Sequence, residues 1–332
     1  MEGGRKMSGR MKAWLIIGAS LVLFGAIIFV GVMSFMGWDF SKLSTIKYES
    51  NTYTVKEEFK DIAIITDTAD VVVLPASGES VSVECNERAK SKHLVEVKNG
   101  VLSVKIEDKR EWYDYIGFDF GTSKITLYIP EGEYGAISVK LKTGDVKIPE
   151  RFSFSSVSID GSTGDVECYA SSMGKTSIKL STGDIHIENA SVGSLDLETS
   201  TGSVLLRRVD CKAEANIVSS TGTARLEALS CESLYSSAST GDIELSNVIA
   251  TGKITLRRNT GDIELDRCDA FELFLKTNTG DVKGTLLSDK VFIYTTNTGD
   301  VDLPKTTTGG KCEIETGTGD IEIDIDYKNS NT

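Results

Sequence analysis

Asn259-Thr260-Gly261-Asp262-Ile263-Glu264-Leu265 is one copy of a phrase that returns ten times in the second half of a 332-residue chain. Its glycines are Gly144, Gly164, Gly183, Gly202, Gly222, Gly241, Gly261, Gly280, Gly299 and Gly319, always 19 or 20 residues apart. Eight copies keep Thr-Gly-Asp; Ser203 and Thr223 replace the acid in the other two. A period of this length held over so many copies is the mark of a solenoid.

The flanking residues say which kind. The positions seven and five before each glycine, and two and four after it, make 40 sites, of which 37 are apolar. The residues between them are mostly charged or hydroxylated, which is the period-2 pattern of a strand with one buried face. Such a coil cannot bury its apolar face alone and must stack on its neighbours with like positions in register. The expected fold is therefore all-β: a parallel β-solenoid, or β-helix, of about ten 19–20-residue coils. At roughly 4.8 Å per coil, sequential stacking predicts a rod of about 48 Å.

Glycine at the corner supplies φ > 0 without steric cost, and the Asp after it can accept backbone N–H groups as in an Asx turn. The Ser and Asn before the Thr, such as Ser181, Asn259 and Asn278, can form polar ladders. A leucine-rich repeat would need L-x-x-L-x-L, and a calcium-binding roll would need G-G-x-G-x-D at half the period. Neither pattern is present.

Upstream, residues 1–12 carry Arg5, Lys6, Arg10 and Lys12 against Glu2, and residues 13–36 contain no charge. About 20 apolar residues span a bilayer, and no A-x-A-like cleavage site follows. The expectation is an uncleaved, single-pass transmembrane helix over 13–36. Its basic tail (1–12) would be cytoplasmic and everything beyond it extracytoplasmic. Beyond residue 36 the chain has 32 of the 36 basic and 48 of the 49 acidic side chains, a net −16. That balance argues against nucleic acid as a partner.

Residues 37–130 read as strand-rich N-terminal coils that cap the solenoid, residues 131–326 as the Thr-Gly-Asp solenoid, and residues 327–332 as a tail. Asp67-Thr68-Ala69-Asp70, between Ile62/Ile64 and Val71/Val73, looks like a degenerate coil with Ala69 in the glycine place. At the other end Ile321-Glu322-Ile323-Asp324-Ile325-Asp326 reads as the last strand of the stack, its acids discouraging edge-to-edge growth.

The candidate sites compete with plainer roles. The Asp column, with Asp242, Asp262, Asp281, Asp300 and Asp320 as its longest run, offers oxygen ligands of the kind Ca²⁺ takes; turn capping explains the same residues. Glu244 and Glu264, on adjacent coils, have the spacing of a retaining glycosidase pair, or of solvated ladder charge. Trp112, Tyr113, Tyr115, Phe118 and Phe120 make an aromatic patch for a sugar or protein, or a loop over the open end. Cys211 and Cys231, each nine after its glycine, are candidates for a disulfide across consecutive coils. The two histidines, His93 and His186, lie far apart, and no P-loop, zinc spacing or Ser-His-Asp elbow is present. No catalysis, cofactor or small-molecule substrate is expected.

The region from Lys47 to Asp326 resembles the bacterial DUF4097-type β-strand-repeat proteins, a family often labelled "putative adhesin". The resemblance rests on the S/N-T-G-D unit, the I-x-I-x-T-x-x-x-D-V-x-V stretch at Ile62–Val73, and I-x-L-x-I-P-E at Ile125–Glu131. It implies a β-helical envelope protein with an N-terminal anchor, linked to adhesion or to envelope-stress regulation. Three functions follow as expectations. The first is an adhesin-like envelope scaffold that binds an envelope component or a membrane protein. The others are a sensory ectodomain and, last, a polysaccharide-active β-helix enzyme.

Overall fold

The computed structural model describes residues 9–39, 46–108, 111 and 121–327. Contacts divide the chain into two units. The first contains the helix Gly9–Phe35, 27 residues with no charged residue after Lys12. At 1.5 Å per residue it is about 40 Å long, long and apolar enough to cross a membrane. It ends where Gly37 adopts φ 69°. There Trp38 N–H bonds to Met33 O at 2.8 Å and Gly37 N–H to Ser34 O at 3.2 Å, the pairing that closes a helix C-terminus through a left-handed glycine.

The second unit holds the parallel β-solenoid of about ten turns. The reason the coils stack is visible column by column. Every one of the 40 template positions is buried except Gly284 and four residues of a single coil: Phe292, Tyr294, Val301 and Leu303. Parallel pairing keeps like on like, as in Val139, Ile159 and Ile178, or Val166, Ile185 and Val204. Removal of these columns from water, at roughly 25 cal/mol per Å², is the main stabilising term. The Thr-Gly-Asp glycines all take φ between 116° and 150°. A Cβ on Gly261 would lie 2.3 Å from Gly241 O, and one on Gly280 would lie 2.1 Å from Gly261 O. The corner therefore needs glycine for its φ and also for the close approach of the coil beneath it.

The order of the coils departs from the sequence at both ends. The Gly319 coil (Gly310–Thr318, Ile321–Ile325) pairs with Ile263–Thr279 and Val282–Leu286 on one side. On its other side it pairs with Lys290–Thr298 and Val301–Asp302. The last coil in sequence is thus inserted between the eighth and ninth, and the Gly299 coil is outermost. This overturns the expectation that Ile321–Asp326 is the terminal strand: Ile321 and Ile323 are core residues. Any coil carrying the four apolar columns can stack on any other, so sequence order does not dictate spatial order. Gly309 and Gly310 permit the insertion, because a Cβ on either would lie 1.7 Å from the carbonyl of Asp289 or Phe271.

The N-terminal end does the same. Asp61–Ile65 and Asp70–Pro75 form a coil between Gly132–Thr143/Val146–Ile148 and Val101–Asp108/Lys124–Ile129. Asp145 N–H donates to Asp70 Oδ1 at 3.0 Å, so Asp67–Asp70 is in register with the Thr-Gly-Asp corners. Ala69 is absent from the positive-φ residues, which is why an alanine suffices there. Beyond this coil the pairing becomes antiparallel: Val81–Arg88 runs against Lys124–Ile129, and Ser91–Lys98 against Val101–Asp108.

Candidate functional site

The short strands that follow each glycine leave two rows of side chains outside, three and five residues on. In register they run Lys147, Glu167, His186, Leu205, Arg225, Glu244, Glu264, Lys283 and, beside them, Tyr169, Glu188, Arg207, Glu227, Ser246, Asp266. The Asp column borders the first row. Together they make a shallow trough with hollows of about 470 Å³, around Glu167, His186, Ser203 and Arg225, and about 320 Å³, around Glu244, Glu264, Asp266 and Lys283.

Ion pairs between rungs organise this face. Lys147 pairs with Glu167, Arg207 Nε with Glu227 at 2.8 Å, and Arg225 Nε with Glu244 at 2.7 Å. The Lys147 ammonium holds the Glu167 carboxyl below its usual range, and Arg207 does the same for Glu227. At the upper hollow, Tyr169 Oη contacts Glu167 Oε2 and His186 Nδ1, each at 3.2 Å. Burial, reinforced by the Glu167 charge, pushes the Tyr169 hydroxyl up to about 12. His186 Nε2 approaches Glu188 Oε2 at 3.2 Å without hydrogen-bond geometry, while Arg208 holds the other Glu188 oxygen. The Tyr169–His186 pairing, rings edge to face with centroids 5.2 Å apart, was not foreseen from the sequence. The signal was two aromatic rings 17 residues apart on adjacent outward rows.

Glu244 and Glu264 are register neighbours, but Glu244 is engaged by Arg225.

The Asp column has a defined task. Oδ1 of each Asp accepts the N–H of the residue one coil further out, at 2.7–3.0 Å: Asp145 from Asp165, Asp165 from Asp184, Asp184 from Ser203, Asp242 from Asp262, and Asp262 from Asp281. The chain then follows the spatial order, Asp281 accepting from Asp320 and Asp320 from Asp300. One oxygen of each carboxylate is thus committed to capping the next corner. Asp300 ends the ladder, so the run read as 242–262–281–300–320 has its last two members exchanged.

Cys211 and Cys231 lie on neighbouring coils, since Asp210 and Ser230 are in register. Both are buried free thiols, and Cys211 Sγ contacts Glu214 O at 3.4 Å. Trp112, Tyr113, Tyr115, Phe118 and Phe120 lie outside the described residues.

The model of the Toastrack DUF4097 family matches residues 59–227 and 215–332. No curated protein matches the chain. Among solved structures, a "putative adhesin" from Bacteroides fragilis aligns at 17% identity over 84% of this chain and 97% of its own, with a TM-score of 0.41. A second, from Parabacteroides distasonis, aligns at 14% identity over 83% and 97%, with a TM-score of 0.45. With the family model covering most of its length and the repeat that defines the match forming the stacked coils seen here, the chain belongs to the Toastrack DUF4097 family.

Proposed function

We propose that the chain is a membrane-tethered, non-catalytic binding protein of adhesin type, an envelope scaffold that presents one long face to an envelope component or a neighbouring membrane protein. The helix Gly9–Phe35 supplies the tether, with the basic residues before it on the cytoplasmic side. The observation that carries the reading is the trough. Its charged rows repeat coil after coil at a strand spacing of about 4.8 Å, which suits an extended polar ligand better than a compact substrate. Glu167, Glu227 and Glu244 are each held by a neighbouring Lys or Arg, an arrangement that favours recognition over proton transfer.

The test is a pull-down with the full-length chain in detergent micelles against cell-wall fractions and solubilised membrane proteins. Two variants, Arg225→Glu and Tyr169→Ala, change the trough without touching the core. Binding should fall at least tenfold in Arg225→Glu, where charge complementarity is reversed, and less in Tyr169→Ala. Equal capture by both variants and the unaltered chain would move the recognition surface elsewhere. Turnover of cell-wall polysaccharide that disappears in Glu264→Gln would instead make the trough catalytic.

A further inference from the structure

The antiparallel cap at the N-terminal end holds a polar chamber where the pattern calls for apolar residues. On Val81–Arg88 the inward parity runs Val83, Cys85, Glu87, and on Ser91–Lys98 it begins Ser91, His93. Glu87 is fully buried and His93 only 4% exposed. Donor atoms of Cys85, Glu87 and His93 all lie within 4.8 Å of one another. Among the described residues this is the sole group of three such side chains so close together.

The chamber is ordered by its hydrogen bonds. Glu87 Oε2 faces His93 Nδ1 at 2.7 Å and accepts the His93 backbone N–H at 2.5 Å. Oε1 accepts Asn51 Nδ2 at 2.7 Å, and the Tyr53 hydroxyl lies beside the same carboxylate. On the far side of the ring, His93 Nε2 lies 3.1 Å from Thr66 Oγ1. The connectivity Glu87–His93–Thr66 is that of a relay triad, but Thr66 is itself buried, so no substrate reaches the hydroxyl. What does fit is the donor set. When Nε2–H donates to Thr66, Nδ1 and Glu87 Oε2 are two acceptors facing one another, and a cation belongs between them. Thr66 then plays the outer part that fixes a metal-binding imidazole.

We propose that Cys85, Glu87 and His93 form a structural site for a thiophilic divalent ion of the zinc class, taken up as the cap folds. One sulfur, one nitrogen and one oxygen donor suit zinc and exclude calcium and magnesium, which take oxygen shells. Bonds of about 2.0–2.1 Å at tetrahedral angles put the nitrogen and oxygen roughly 3.3 Å apart. Side-chain rotations that open the present 2.7 Å by about 0.6 Å would therefore seat the ion. Tyr53 Oη, next to Glu87, is placed to complete the shell. Binding releases to solvent the thiol proton and the proton between Glu87 and His93. Because the chamber is closed, loading accompanies folding or partial opening of the cap.

The full-length chain in detergent is stripped with a chelator, opened in mild urea, and returned to buffer with Zn²⁺ or Co²⁺. About one ion should be retained per chain, and Co²⁺ should give a thiolate charge-transfer band. Cys85→Ser and His93→Gln should retain at least tenfold less metal, while Cys211→Ser keeps both the ion and the band. Retention by Cys85→Ser equal to that of the unaltered chain overturns the proposal, as does a band that follows Cys211 instead. A measurement on the unaltered chain covers variants that fail to fold. Zinc should slow alkylation of Cys85 in mild urea, read by peptide mass, and equal labelling with and without zinc overturns the proposal too.

Discussion

The two ends of the solenoid solve one problem in opposite ways. At the N-terminal end the parallel stack is closed by antiparallel strands, Val81–Arg88 and Ser91–Lys98, and the inward Glu87, Ser91 and His93 are buried there although they are polar. At the other end the Gly299 coil has no strand beyond it among the described residues. Tyr294 is 54% exposed on an inward column, and Ile293 is 50% exposed beside it. The two coils nearest that end carry the same template, yet Ile314 of the inserted coil is fully buried and its counterpart Tyr294 is open. Burial is conferred by a neighbour on each side, not by the template. An outermost coil is therefore held by one face only, as nearest-neighbour stacking requires.

The sharpest way to break this comparison is at a corner with coils on both sides. Gly280→Ala would place a Cβ 2.1 Å from Gly261 O at φ 145°. Backbone strain and displacement of the whole coil together should cost on the order of 5 kcal/mol. The alanine already present at position 69 sits at a corner without positive φ, so that corner does not need the glycine that Gly280 supplies. Urea unfolding of the full-length chain in detergent measures both, and Ala69→Gly should change stability by less than about 1 kcal/mol.

Next in size is the exchange of the last two coils. If they stacked in sequence order, Tyr294 would be interior and Ile314 terminal. In the structure Ile314→Ala opens a cavity in the core and should cost about 3 kcal/mol. Tyr294→Ala, at a half-open position, should cost about 1 kcal/mol or less. The reverse ranking would restore the sequential order.

Much of this was legible beforehand, and the reason for the rest is physical. The columns and corners could be read because each is a local parity rule repeated many times. Coil order could not, because Phe292-x-Tyr294 and Cys312-x-Ile314 satisfy the same columns, and only the Gly309–Gly310 crossing separates the alternatives. A second corner was missed altogether. Asn189, Arg208, Ala228, Asn247 and Arg267, six after their glycines, all have φ of 51–55°, yet three of them are residues that do not advertise such a conformation. The Glu87–His93 chamber showed only as polar residues on the apolar parity of a strand. Its partners arrive from elsewhere in the chain, Asn51 from the strand Tyr48–Val55 and Thr66 from just beyond Asp61–Ile65.

Buried thiols give a pH test that reaches both ends. Burial, with Glu87 and Glu84 nearby, pushes the Cys85 thiol up to about 12, and burial pushes Cys312 up to about 12 against the opposing pull of Lys290. A thiol raised in the folded state contributes stability below its ordinary value near 9, and that contribution is lost as pH climbs toward 12. The urea midpoint of the metal-free chain should therefore fall steadily above about pH 9. At pH 8 neither cysteine of the folded chain should react with iodoacetamide, whereas both should react in urea.

The smallest expected effect is also the most specific to the open end. Asp281 Oδ1 caps the N–H of Asp320, and its carboxyl is held below the usual range by Lys283. Removing it in Asp281→Ala leaves a backbone donor at the coil interface without its acceptor and should cost about 1 kcal/mol. Asp300 stands last in the ladder: its own N–H is satisfied by Asp320 Oδ1, and among the described residues no further coil presents a donor to its carboxylate. Asp300→Ala should therefore be neutral within about 0.5 kcal/mol. Hydrogen exchange separates the two without relying on global unfolding. The amide of residue 320 should lose protection in the first variant, while the amide of residue 300 should keep it in the second, because the donor lies one coil outward from the carboxylate it needs. Faster exchange at residue 300 in Asp300→Ala would mean that another strand covers this end after all.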